Sequence, residues 1–249
     1  MRKIVIFLYL IFGYGNQLLY ANENNKEKLD IYVVTEDTFP LQYVENKKIT
    51  GPATQLVKKV LSTAKLKYNI TVMPWSEAYQ LALKMPNVLI YSMGLTQERK
   101  AKFIWLGKIK SLEYYLYGND NLPINNDTPI RTLKKYRVGA VRKSATEHYL
   151  VNQGFKQLVN AVDGKQNILL FEKDRIDLFP YNRFSFLAIC EKYQFNCKDA
   201  KPLYKLDLQT IDLYMAASLS TDEHLIKKIR SAYQKVIQNI DFLENIGLN

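Results

Sequence analysis

One pattern governs what this chain can fold into: strand and helix alternate twice over, with a break between, and a long amphipathic helix is left at the end. Asp30 to Val34 is a β-branched strand that runs into a polar turn, Thr35 to Pro40. Pro52 opens a helix whose Ala53, Leu56, Val57, Val60, Leu61 and Ala64 recur at helical spacing. Asn69 to Met73 is a strand, Pro74-Trp75 starts a helix to about Lys84, and Val88 to Tyr91 is a third strand. Such β-α-β-α-β order makes a mostly parallel sheet covered by helices.

The order restarts after a break. Leu112 to Tyr117 and Arg137 to Val141 read as strands around a polar, Asn/Pro-rich crossing, and Ser144 caps a helix that ends before Gly154. A helix over Lys165 to Lys173, a strand at Ile176 to Phe179 and an extended piece at Asp212 to Ala217 follow. The last helix carries Leu225, Ile226, Ile229, Ala232, Tyr233, Val236, Ile237 and Ile240 on one face. The expected architecture is α/β, with two lobes joined by two crossing strands near Leu112–Tyr117 and Asp212–Ala217. Lobe 1 takes residues 28–112 and 213–249, and lobe 2 takes 113–212.

Arg2 and Lys3, then the apolar run from Ile4 to Phe12 and the small Ala21, read as a cleaved signal peptide over residues 1–21. An uncleaved membrane anchor is the alternative, and Leu19 fits that alternative better than a cleavage site. Export puts the two cysteines, Cys190 and Cys197, in an oxidising compartment, where they would close one short disulfide loop. Two buried free thiols are the other reading. The formal net charge is +11, which suits nucleic acid, an acidic membrane or an anionic ligand. The basic residues are dispersed among acids, however, and accompany no nucleic-acid motif. A solvated basic surface is expected, with no nucleic-acid partner. With His148 and His224 the only histidines and both far from the cysteines, no metal site and no cofactor are expected.

Several of these segments together resemble a known family. They are Val34-Thr35-Glu36-Asp37-Thr38-Phe39-Pro40, Ile49-Thr50-Gly51-Pro52, Pro74-Trp75, Thr96-Gln97-Glu98-Arg99, Val138-Gly139-Ala140-Val141 before Ser144, and Arg175-Ile176-Asp177. In order and spacing they are similar to the family 3 periplasmic solute-binding proteins of polar amino-acid transporters, whose fold is the two-lobed type II periplasmic-binding fold. Phe103-Ile104-Trp105-Leu106-Gly107 and the aromatic second helix are closest to a stand-alone branch of that family.

The resemblance implies a ligand between the lobes. Glu36 would be an acidic contact, Phe39 an aromatic wall, Trp75 a stacking aromatic and Arg99 a carboxylate clamp, with Ser92 and Gly94 beside it. From the second lobe, Ser144 would supply a helix start for the same carboxylate, and Tyr181 and Asn182 would close the site. Three departures stand out: Gly94 where a hydroxyl residue often assists the arginine, Ala145 in place of Thr, and Asn182 in place of the acid that grips an α-ammonium. Without that acid, a standard L-amino acid is not the expected ligand.

The implied activity is non-enzymatic binding by a periplasmic monomer, for ABC-type uptake or for sensing, with a membrane transporter or receptor as partner. A dehydratase-like enzyme using Glu147, paired with His148, is the catalytic rival, although adjacent helix residues point about 100° apart. A purely structural protein with an empty, non-closing cleft is the third reading.

Overall fold

A computed structural model describes residues 28–208 and 211–248 of the chain; the signal peptide read over 1–21 lies outside them. The first part of the chain supplies strands β1 (Ile31–Thr35), β2 (Tyr43–Glu45) and β3 (Lys48–Thr50), then helix α1 (Pro52–Thr63). Strand β4 (Tyr68–Val72), helix α2 (Trp75–Lys84), and strands β5 (Val88–Gly94) and β6 (Phe103–Leu112) complete it. After Glu113 come β7 (Tyr114–Asn119), α3 (Ile130–Leu133), β8 (Val138–Val141), α4 (Ala145–Asn152), β9 (Leu158–Ala161) and α5 (Gly164–Glu172). The middle part ends with β10 (Leu178–Asn182), α6 (Arg183–Tyr193) and β11 (Ala200–Lys205). The chain then returns through β12 (Ile211–Ser218) to α7 (Glu223–Ile237) and α8 (Ile240–Asn245).

These strands form two five-stranded sheets, in the orders β4-β1-β5-β12-β6 and β11-β7-β10-β8-β9, besides the β2–β3 hairpin. In the first, β1 pairs in parallel with β4 and β5, as expected for β-α-β units, while β12 enters antiparallel between β5 and β6. The chain therefore passes between sheets twice, at Glu113 and between Lys205 and Ile211. Asp212–Ala217, expected as a crossing, lies within β12 just past the second passage.

The first sheet is buried on both faces, which explains why β5 is apolar throughout instead of alternating. Leu89 and Tyr91 pack on one side with α1 and α7, while Val88, Ile90 and Met93 pack on the other with Trp75, Ala78, Tyr79 and Ala82 of α2. Alternation along β5 breaks at Ser92, a non-glycine residue at φ 58°. The same point shifts the β5–β12 register between Tyr214 and Ala216. One extra residue flips the strand's faces and turns its end into the space between the sheets. The second sheet has a similar sandwich, with Leu133, Val138 and Leu150 on one side and Ile168, Phe179, Phe186 and Ile189 on the other. Among the described residues no helix is long and apolar enough to cross a membrane.

Helix α6 was not foreseen. It ends at Gln194, whose left-handed φ of 54° returns amide hydrogen bonds to Cys190 and Glu191. The turn brings Cys190 and Cys197 to a Cα separation of 6.0 Å, and they form a disulfide, as the export reading expects. A loop this short constrains the unfolded chain by about 2–3 kcal/mol. Cys190→Ser with Cys197→Ser should therefore lower the urea-unfolding free energy by about that amount and leave the m-value little changed. An unchanged midpoint would show that the α6 cap, not the bond, holds this corner.

Candidate functional site

The ends of β1, β5 and β10 and the starts of α2 and α4 converge between the two sheets. Carboxyl ends of strands and amino ends of helices are where α/β architectures gather ligand-binding groups. Two adjoining cavities, of about 80 and 60 Å³, share Glu36, Tyr114, Ser144 and Thr146 as walls. On this measure a single water needs about 10–15 Å³, so together they hold on the order of ten water-sized groups.

Arg99 lines the smaller cavity, with Trp75, Ser92, Gly94 and Ala145. Its side chain is 1% exposed, and burial pulls the guanidinium pKa below its usual value. The charge is answered on several sides. Nη1 donates to the Gly94 carbonyl (3.2 Å) and Nη2 to the Lys143 carbonyl (2.8 Å), while the rings of Trp75 and Tyr79 both lie 5.2 Å from its central carbon. Nε is buried and has no partner. Lys143 belongs to the middle part of the chain, and its φ of 60° turns its carbonyl across the cleft. The Trp75 indole donates to that same carbonyl at 2.9 Å. Trp75 is therefore both a core residue of the α2 face and a wall of the cleft.

Gly94 has a local cause. A side chain there would bring Cβ within 2.7 Å of the Ile211 methyl, so β12 fills the place that a hydroxyl would take. Ser92, aimed inward by its bulge, donates to Gln42 Oε1 at 2.7 Å. Across the cleft, Ser144 caps α4 by accepting from the Glu147 amide at 3.0 Å. Glu147 in turn accepts from the Lys143 amide, and His148 Nδ1 lies 2.7 Å from Glu98 Oε2. Glu147 is thus engaged in capping and His148 lies against Glu98, and neither lines the cavities.

The larger cavity is lined by Glu36, Tyr114, Lys165, Asn167, Tyr181 and Asn182, among others. Burial first, then repulsion from Asp163, raises the Glu36 carboxyl to about 7, against the opposing pull of Thr38 and Arg99. Asp37 pairs with Lys165 at 2.9 Å. Asn182 caps α6 through its Oδ1, which accepts from the Ser185 amide at 2.8 Å. Burial raises the phenols of Tyr114 and Tyr181, so both stay protonated donors at neutral pH.

Of the residues the sequence singled out, Glu36, Trp75, Ser92, Gly94, Arg99, Ser144, Tyr181 and Asn182 meet around these cavities. Phe39 does not line them. It packs on Tyr43 (4.8 Å) and Tyr193 (6.5 Å) under the Lys192 ammonium, at the rim. Tyr114, Thr146, Lys165 and Asn167 were missed. Tyr114 stands opposite Asn182 in the β7–β10 register, a relation that no local pattern reveals.

A family model described as bacterial extracellular solute-binding proteins, family 3, matches residues 31–240. No curated protein matches the sequence. Similar solved structures include a histidine kinase sensor domain with similarity to periplasmic binding proteins (TM-score 0.76, 14% identity, 87% of this chain and 93% of that one). Another is the arginine-, lysine-, histidine-binding protein ArtJ of Geobacillus stearothermophilus (0.71, 16%, 86% and 92%). A third is an amino acid ABC transporter substrate-binding protein of Streptococcus pneumoniae bound to L-arginine (0.72, 16%, 87% and 92%). The two sheets and their connections have the type II periplasmic-binding fold.

The Glu36 carboxyl links the cleft to stability with a definite sign. Its folded pKa, about 7, lies above its ordinary 4.5. The folded state thus holds the proton more tightly, and stability falls as pH rises through that window. Glu36→Gln should raise unfolding free energy by on the order of 2 kcal/mol at pH 8 and change it little at pH 4. Chemical denaturation at the two pH values measures this, and an equal effect at both would contradict it.

Proposed function

The chain belongs to the family 3 bacterial extracellular solute-binding proteins, and on that premise we propose that it binds a small carboxylate-bearing solute between two closing lobes in the periplasm, for delivery to a membrane transporter or receptor. The observation that carries this reading is Arg99, a buried guanidinium with an unpartnered Nε in a cleft between the two sheets. A guanidinium is a planar fork that matches a carboxylate and gains strength where water is excluded. The start of α4, beside Ala145 and Thr146, faces the same cavity and favours the same negative charge.

The two passages between the sheets, at Glu113 and between Lys205 and Ile211, are short enough to serve as a hinge. Around the cleft, the ion pairs Asp37–Lys165 and Glu45–Lys192 and the close contact between Glu98 and His148 join the two parts of the chain. Each is partly exposed to water, so each contributes little. They guide closure, and the buried centre decides it. A solute that touches Arg99 from one side and the α4 start from the other binds the closed form better and shifts the population towards it. A transporter or a sensor could read that form equally well. The sensor reading has its own support in the fold shared with a histidine kinase sensor domain.

The test begins with thermal-shift measurements on the mature, disulfide-bonded protein against amino acids, short peptides and simple carboxylates. A ligand at 100 times its dissociation constant adds about 2.7 kcal/mol. By calorimetry with any carboxylate that binds, Arg99→Ala should lose about 2–5 kcal/mol and Arg99→Lys less. Trp75→Phe, which keeps the packing and loses the bond to Lys143, should weaken binding without unfolding the protein. Binding by Arg99→Ala within a few-fold of the parent would remove the arginine from the site.

A further inference from the structure

With a carboxylate at Arg99, the larger cavity determines what else the ligand carries, and the following inference rests on that reading. An ammonium in a buried cleft needs a permanent, unpaired anion beside it. The acids around this cavity do not offer one. Asp37 is paired with Lys165 at 2.9 Å. Asp163, the cap of α5, does not line the cavity, and its Oδ1 accepts from the Gln166 amide at 2.8 Å. Glu36, faced by Asp163, Asp37, Thr38 and Arg99, has its carboxyl raised to about 7, chiefly by burial, so it is not a permanent anion. Asn182 is uncharged, and its oxygen is used by the Ser185 amide, so its remaining amide group is a donor.

Neutral polar groups are plentiful instead. Asn167 is 1% exposed, lines the cavity and has a buried Oδ1 with no partner. The bare Gly139 makes room for that oxygen, which lies 2.6 Å from where a Cβ would stand. Tyr114 lies across the register from Asn182 and walls both cavities, which keeps a protonated phenol between the two ends of the site. An unmatched buried acceptor, a carboxyl that can donate or accept, and amide and phenol donors together fit hydroxyl groups, which both donate and accept.

We propose that the ligand is a small hydroxy carboxylate without an α-ammonium: its carboxylate is held by Arg99 and the start of α4, and its hydroxyl lies among Asn167, Glu36 and Asn182. Asn167 and Asn182 are then the residues that set specificity.

Calorimetry of the mature parent at pH 7 with alanine, leucine, glutamate, phenylalanine and arginine, each beside its 2-hydroxy analogue, tests this. The tightest-binding pair should favour the hydroxy acid by about tenfold or more. Asn182→Asp keeps a good helix cap and puts an acid on the cavity wall beside the ligand, so it should reverse that preference. Asn167→Leu should weaken the hydroxy acid and spare the amino acid. A parent that prefers the amino acid of its best pair overturns the proposal and leaves the carboxylate reading standing. Binding by neither series removes the carboxylate reading, and this inference with it.

Discussion

The buried guanidinium of Arg99 is the constraint around which the cleft is arranged. Taking such a charge out of water costs several kcal/mol unless partners replace the lost hydration. Here the partners come from both parts of the chain: the Gly94 carbonyl from the end of β5, the Lys143 carbonyl from the turn before α4, and the rings of Trp75 and Tyr79 from α2. A hydrogen bond to a charged group contributes about 1.5–3 kcal/mol, and a desolvated cation–π contact about 2. These offsets are of the same order as the cost, so the partners together keep the Arg99 charge buried. Moving the two parts of the chain apart removes the Lys143 carbonyl from both Arg99 and Trp75 at once.

Other features of the site follow from that arrangement. The bulge at Ser92 turns the end of β5 so that the Gly94 carbonyl reaches the arginine. Gly94 lacks a side chain because β12 passes too closely. Lys143 takes a left-handed conformation so that its carbonyl can point across the cleft, and the Ser144 and Glu147 caps hold the turn in that shape. Backbone strain of this kind, concentrated beside the cleft, is held in place by the surrounding structure.

Much of this was legible in the residues. Helices α1, α2 and α7 show their buried faces as regular apolar spacing, and Ser144 announces a cap. Eight of nine expected ligand-binding residues, all but Phe39, do meet around the cleft. What escaped has identifiable causes. Helix α6 leaves Phe184 and Leu187 exposed while burying Phe186 and Ile189, so its apolar residues circle the helix and give no clear stripe. Strand β6 alternates poorly because its register with β12 shifts twice, between Lys108 and Lys110 and between Trp105 and Gly107. Tyr114 reaches the site through strand register, and the Lys143 carbonyl is a backbone atom. Neither depends on a residue pattern that a sequence can display.

The central claim is that Arg99 couples the two parts of the chain through the Lys143 carbonyl. Small-angle X-ray scattering of the parent and of Arg99→Ala, with far-ultraviolet circular dichroism to confirm equal folding, measures lobe separation directly. The account predicts a larger radius of gyration and a broader distance distribution for Arg99→Ala, because the contact through the Lys143 carbonyl loses its charged donor. Superimposable scattering curves from the two folded proteins would contradict it.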